Sequence, residues 1–187
     1  MAWYTTEETL YFYETRRGLE PAGTEQDAHL TLTLSTQEQY DGETGRVEQM
    51  QVQVDYAWSA GRPRWRGDDA ITVTWDPGQD TYAGSFVSEH WADGAQYYRT
   101  ERAGRLNQGS AEWSVPLNKA GLFAKELEGT ARFVLLPKTP RVHSETGQTV
   151  YVAYQHSVSG VPLLIGTVIV VGVAVWWGRR YIKKSKA

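Results

Sequence analysis

Met50-Gln-Val-Gln-Val-Asp-Tyr-Ala-Trp58 places large apolar residues at 50, 52, 54, 56 and 58, alternating with Gln51, Gln53, Asp55 and Ala57. In an extended strand successive side chains point to opposite faces, so one set suits a core and the other suits water. The same alternation recurs along the chain. Leu30, Leu32 and Leu34 enclose Thr31 and Thr33, and Ile71, Val73 and Trp75 enclose Thr72 and Thr74. Trp113, Val115 and Leu117 repeat it, as do Val150, Val152 and Tyr154. Residues 8–15, 82–90, 96–103 and 130–136 are further candidate strands. Turn chemistry separates them. Asp41-Gly42-Glu43-Thr44-Gly45 and Asp76-Pro77-Gly78-Gln79-Asp80 read as hairpin-type connections, and Asp93-Gly94 reads as a tight turn. Asn118-Lys119-Ala120-Gly121 is another break, and Leu122 to Leu127 is expected to form one helical turn. About nine short strands with turns between them predict an all-β domain, an antiparallel β-sandwich over residues 1–157.

A different pattern follows. Val158 to Gly178 contains no ionisable side chain, and RRYIKKSKA after it holds five bases and no acid. At about 1.5 Å per residue such a run crosses a bilayer core of roughly 30 Å as one helix, so a C-terminal transmembrane helix is expected over 158–178. Residues 179–187 are then a short basic tail. Trp176, Trp177 and Tyr181 suit the headgroup zone, and Arg179, Arg180, Lys183 and Lys184 form the positive flank. The flank before the run, residues 141–157, holds only Arg141 and Glu145 as full charges. The positive-inside rule therefore predicts a cytoplasmic C-terminus and an outward domain, single-pass in the cytoplasmic membrane. The opening MAWYTTEETLYFYETRR has neither an early basic residue nor an apolar stretch of signal-peptide type. The expectation is a signal sequence upstream of this start. A tail-anchored cytoplasmic domain and insertion by a phage or viral route are the alternatives.

Composition narrows the partners. Five of the 19 basic residues lie in the tail, leaving 14 against 22 acidic ones, a charge of −8 on the outward part. An acidic domain without basic runs argues against nucleic acid, whose binding depends on phosphate neutralisation. The absence of cysteine excludes disulfides, thiol catalysis and thiolate metal sites, and points to a bacterial exported protein of Gram-positive type.

No nucleophile elbow, metalloprotease helix or glycine-rich phosphate loop occurs, so no catalytic, cofactor or metal residue is assigned. Scattered carboxylates such as Glu89, Asp93 and Glu101 offer a conceivable glycosidase-type pair, but 22 acidic residues make some such pair inevitable. Asp76 and Asp80 read as turn formers rather than cation ligands. The four histidines, His29, His90, His143 and His156, have no ligand spacing. Arg62, Arg64, Trp65 and Arg66, with Asp68 and Asp69, make the densest polar and aromatic cluster and the candidate recognition loop. Its Arg66-Gly67-Asp68 matches the integrin-binding tripeptide, although three residues alone also describe an ordinary charged turn. Trp65, Trp91, Tyr97 and Tyr98 lie in or near loops, where exposed rings can stack on sugars.

Leu136-Pro137-Lys138-Thr139-Pro140 resembles the Leu-Pro-x-Thr-Gly sorting signal of Gram-positive cell-wall proteins, which is likewise followed by an apolar span and a basic tail. It departs where Pro140 replaces glycine and where 20 residues, Arg141 to Gly160, separate it from Val161. The competing reading is a strand end running into a proline-bounded turn. Together these features predict a membrane-anchored surface protein whose outward sandwich binds a protein or glycan and catalyses nothing. The alternative is a structural or accessory subunit of a membrane assembly, including a prophage or viral membrane protein.

Overall fold

The computed structural model describes residues 3–15, 18–22, 28–59, 68–121, 124–142, 149–156 and 169–176. Within them the chain is antiparallel β throughout. Its strands are β1 (Trp3–Thr15), β2 (Gly18–Ala22), β3 (Ala28–Tyr40), β4 (Val47–Ser59), β5 (Asp68–Thr74) and β6 (Asp80–Ala92). They continue with β7 (Ala95–Thr100), β8 (Arg105–Asn107), β9 (Ser110–Pro116), β10 (Leu127–Pro137), β11 (Thr149–His156) and β12 (Ile169–Trp176). A single 3-10 turn, Leu117–Lys119, follows β9.

Two sheets form a sandwich. One has seven strands in the order β2-β1-β3-β4-β10-β6-β7, and the other has five in the order β12-β11-β5-β9-β8. The alternating apolar residues meet between them. Leu30, Leu32, Leu34, Val52, Val54, Tyr56 and Trp58 from the first sheet face Ile71, Val73, Trp113, Val115, Val152 and Tyr154 from the second, all buried. Aromatic pairs fill the interior, with ring centres 5.4 Å apart for Phe86–Trp113 and 5.8 Å for Trp75–Phe133. Such rings bury far more apolar area than the aliphatic residues around them, which gives a Thr- and Gln-rich chain its core.

The connections follow from local chemistry. The β3–β4 hairpin closes on Asp41, whose Oδ1 accepts from the backbone N–H and the hydroxyl of Thr44, both at 2.7 Å. Asp93 and Gly94 both take positive φ, 48° and 78°, the geometry of a two-residue hairpin turn between β6 and β7. Asp76 also caps a turn, accepting from the Gly78 N–H at 2.7 Å. That segment is not a hairpin, because β5 and β6 lie in different sheets and the turn carries the chain across the sandwich. Leu127 opens β10 rather than ending a helical turn.

The apolar C-terminal run differs most from expectation. Ile169–Trp176 is a strand, paired with β11 from Thr149↔Trp176 to His156↔Ile169. A Val- and Ile-rich segment outside lipid satisfies its backbone groups by adding to an open sheet edge, and β-branched side chains favour that state. Among the described residues no helix is long and apolar enough to cross a membrane. Residues 158–168 and 177–187 lie outside the described part.

Candidate functional site

On the outer face of the seven-stranded sheet, polar along β3 and β4, the described residues form one hollow. Register aligns Thr31 of β3, Ala57 of β4, Glu128 of β10 and Trp91 of β6 in a single row across four strands. The neighbouring row holds Thr33, Asp55, Thr130 and Glu89. Ala57 is the smallest residue in the first row. Its short side chain leaves a hollow of about 390 Å³, walled by Thr31, Thr33, Asp55, Trp91, Glu128 and Thr130.

The charges around the hollow fall into two groups. Glu89 is neutralised by two arginines, Arg99 at 3.2 Å and Arg132 at 3.5 Å, and Arg99 also reaches Glu101 at 3.0 Å. Among the described residues Asp55 accepts only from the neutral Gln53 amide, at 2.9 and 3.2 Å. Glu128 has no ion pair among the described residues and is exposed. The hollow is therefore anionic on the side of β4 and β10, with an indole at its β6 wall.

Beneath it runs a buried polar network. Tyr56 shares a hydrogen bond of 2.8 Å with Nδ1 of His90, and Ser88 shares one of 2.7 Å with Nε2. A neutral imidazole donates through one nitrogen and accepts through the other, so both hydroxyls are served without a charge. Burial pushes the His90 pKa down to about 4. A second set crosses the sandwich: the Trp58 indole donates to the Tyr154 hydroxyl at 3.0 Å, which donates to Asp69 Oδ2 at 2.7 Å. A third lies where β10 ends. Arg141 donates to Asp80 at 2.8 Å and to Glu38 at 3.4 Å, with all three side chains largely buried. Burial raises the Asp80 carboxyl despite the arginine beside it.

The residues singled out from sequence are distributed unevenly. Arg62, Arg64, Trp65 and Arg66 lie outside the described residues, as do Trp177, Arg179, Arg180, Tyr181, Lys183 and Lys184; Trp176 is the last residue of β12. Asp68 is exposed at the start of β5. Asp69 is 1% exposed and bound to Tyr154, so it serves the core and not a solvent-facing surface. Trp91 stands at the hollow, whereas Tyr97 packs against the core and Tyr98 lies under the Lys119 ammonium at 4.3 Å. Asp93 accepts from the Lys125 and Glu126 N–H groups at 2.8 and 2.9 Å. Glu89, Asp93 and Glu101 are thus each committed to a structural contact. Among the described residues no group of His, Asp and Glu is placed to hold a metal ion. The sorting-like pentapeptide sits at the end of β10, where Lys138 donates its N–H to Gln79 and its ammonium to Pro77. Ala57 and Glu128 were missed because smallness and lack of a partner become signals only when strand register is known.

No family model and no curated protein matches the chain. Solved structures do resemble it at the level of chain trace. The collagen-binding domain from a Staphylococcus aureus adhesin aligns at 6% identity and a TM-score of 0.41, over 73% of this chain and 93% of that one. ACE19, the collagen-binding subdomain of the Enterococcus faecalis surface protein ACE, aligns at 9% and 0.44, over 76% and 94%. BcpA, the major pilin subunit of Bacillus cereus, aligns at 10% and 0.44, over 90% of this chain and 45% of that one.

Proposed function

We propose that the chain is a single-pass bacterial surface protein whose β-sandwich faces outward and binds another molecule without catalysis. The observation that carries the binding role is the hollow on the seven-stranded sheet. It joins an indole wall to two carboxylates, Asp55 and Glu128, that have no arginine partner among the described residues, on a face where the neighbouring Glu89 is paired. A site for orienting a ligand needs only such convergent groups on a rigid scaffold. The carboxylates with a conceivable acid–base role, Glu89, Asp93 and Glu101, are engaged elsewhere.

Membrane anchoring is part of the same proposal. It rests on the uncharged run 158–178 and the bases after it. The position of β12 is compatible with it. β12 is the outermost strand of its sheet, so its departure into lipid leaves β11-β5-β9-β8 paired as before. In lipid a lone span must be helical, since no neighbouring strand satisfies its backbone. Trp176, Trp177 and Tyr181 then sit at the interface, and Arg179, Arg180, Lys183 and Lys184 hold the cytoplasmic end.

Topology tests the reading. The chain has no cysteine. Single cysteines at Thr44, in the exposed β3–β4 turn, and at Ser185 are labelled in intact cells with a membrane-impermeant thiol reagent. Labelling at 44 alone is expected. Labelling at 185 alone would place the domain in the cytoplasm and end the proposal.

A further inference from the structure

We infer that the hollow beside Trp91 accepts the basic side chain of a lysine or arginine carried by a polypeptide ligand. The inference deepens the binding role proposed above and rests on it.

Three observations converge. The first is charge. Glu89, one strand from Glu128, is held between Arg99 and Arg132, so the face can supply cations to its carboxylates. Yet Asp55 meets only an amide and Glu128 meets no cation among the described residues. Two carboxylates thus converge on one hollow with their charge unspent. The second is the wall. An indole face attracts a cation through its ring quadrupole, and it does so more strongly when the cation is partly desolvated. The third is space. Ala57 removes side-chain volume between Thr31 and Glu128, and about 390 Å³ is ample for the aliphatic stem and head of one long side chain. The stem would pack on Ala57 and the indole while the head reaches the carboxylates, the usual division of labour in such amphipathic side chains. A neutral sugar would also stack on Trp91, but it would leave both carboxylates without a counter-charge.

The test uses the full chain in lipid nanodiscs. The probe is an acetylated, amidated octapeptide in which Lys alternates with Thr. The controls are the same peptide with norleucine in place of Lys, and a neutral hexasaccharide. Calorimetric titration is expected to show saturable binding of the Lys peptide and none of the norleucine peptide. Asp55→Asn and Glu128→Gln should each weaken it by about tenfold. Ala57→Leu should abolish it by filling the hollow. Glu43→Gln, which removes the same charge from the distant β3–β4 turn, should leave it unchanged. Circular dichroism confirms that each variant retains the fold. Equal weakening by Glu43→Gln would mean diffuse attraction to an acidic domain and would overturn the inference. So would saccharide binding that ignores Asp55→Asn and Glu128→Gln, or no binding of the Lys peptide. None of these results bears on membrane topology, and a cytoplasmic domain in the labelling experiment would leave the chemistry of the hollow untouched.

Discussion

The ring of Tyr56 lies across the β4–β10 ladder against the place where a Cβ on Gly129 would stand, with Cε1, Cζ and the hydroxyl as the closest atoms. The ring cannot easily yield. Its hydroxyl is tied to His90, and its face meets Tyr154 with centres 5.8 Å apart. Gly129→Ala should therefore destabilise the domain by about 2 kcal/mol or more, as overpacking of a filled core does. A urea midpoint unchanged from wild type would show that the ring swings away without cost.

The His90 environment fixes a direction of pH dependence. Its pKa is about 4 in the folded protein against an ordinary 6.5, because burial disfavours the imidazolium. Above the unfolded value both states are neutral and the contribution is fully present. As pH falls from about 6.5 toward 4, the unfolded chain gains a proton that the folded one refuses, and stability drops. The total loss approaches about 3 kcal/mol. The difference between urea midpoints of wild type and His90→Gln, followed from pH 7.5 to 4, should vary across that window. A flat difference would sink the claim.

Arg141 holds two buried carboxylates, Glu38 and Asp80, that otherwise face each other. Removing one partner of a buried pair leaves an uncompensated charge, so Arg141→Ala should cost about 3 kcal/mol. Adding Asp80→Asn to that variant should recover part of the loss. Thermal melts of the single and double variants decide it, and additive losses would count against the arrangement.

Tyr154→Phe deletes no ring but removes one hydroxyl from between Trp58 and Asp69. The indole N–H loses its acceptor and the buried carboxylate loses a donor. A cost of about 2 kcal/mol is expected, read as a lowered denaturation midpoint. Since the cavity is negligible, a value near zero would show that water replaces the hydroxyl.

A chain ending at His156 should still fold, because among the described strands β12 is hydrogen-bonded only to β11 and stands at the sheet edge, although it also packs near β1 and β3. β-type circular dichroism with a cooperative melt is the expected result. A melt without cooperativity would make the apolar run part of the sandwich core.

Much of the fold was legible because burial enforces alternation. All nine sequence-predicted strands have counterparts, β1, β3 to β7, β9, β10 and β11. The strands that escaped notice lack that signature. β8 is three residues long and wholly exposed, and β2 consists of Gly-Leu-Glu-Pro-Ala. The β12 sequence, Ile-Val-Val-Gly-Val-Ala-Val-Trp, has no polar residue to mark a period, a pattern shared by strands and membrane helices. The site was far less visible. Asp69 and Asp68 are identical in sequence and adjacent, yet one is buried under Tyr154 and the other faces water. Only the phase of β5 separates them. Trp91 was noticed as an aromatic ring, but its neighbours Asp55 and Glu128 lie 36 and 37 positions away along the chain and meet it only through β-sheet register.

Tyr154 also has a mechanical meaning if the domain is tethered through the residues after His156. A pull between the membrane and a ligand seated on the seven-stranded sheet enters the domain along β11, whose ladder to β5 spans Tyr151 to Gln155. The Tyr154 hydroxyl bonds to Trp58 on β4 and to Asp69 on β5, so it pins the loaded strand to both sheets at once. Under tension this side chain would share the load with the Gln155 end of that ladder, and Tyr154→Phe should lower the unfolding force more than its equilibrium cost suggests.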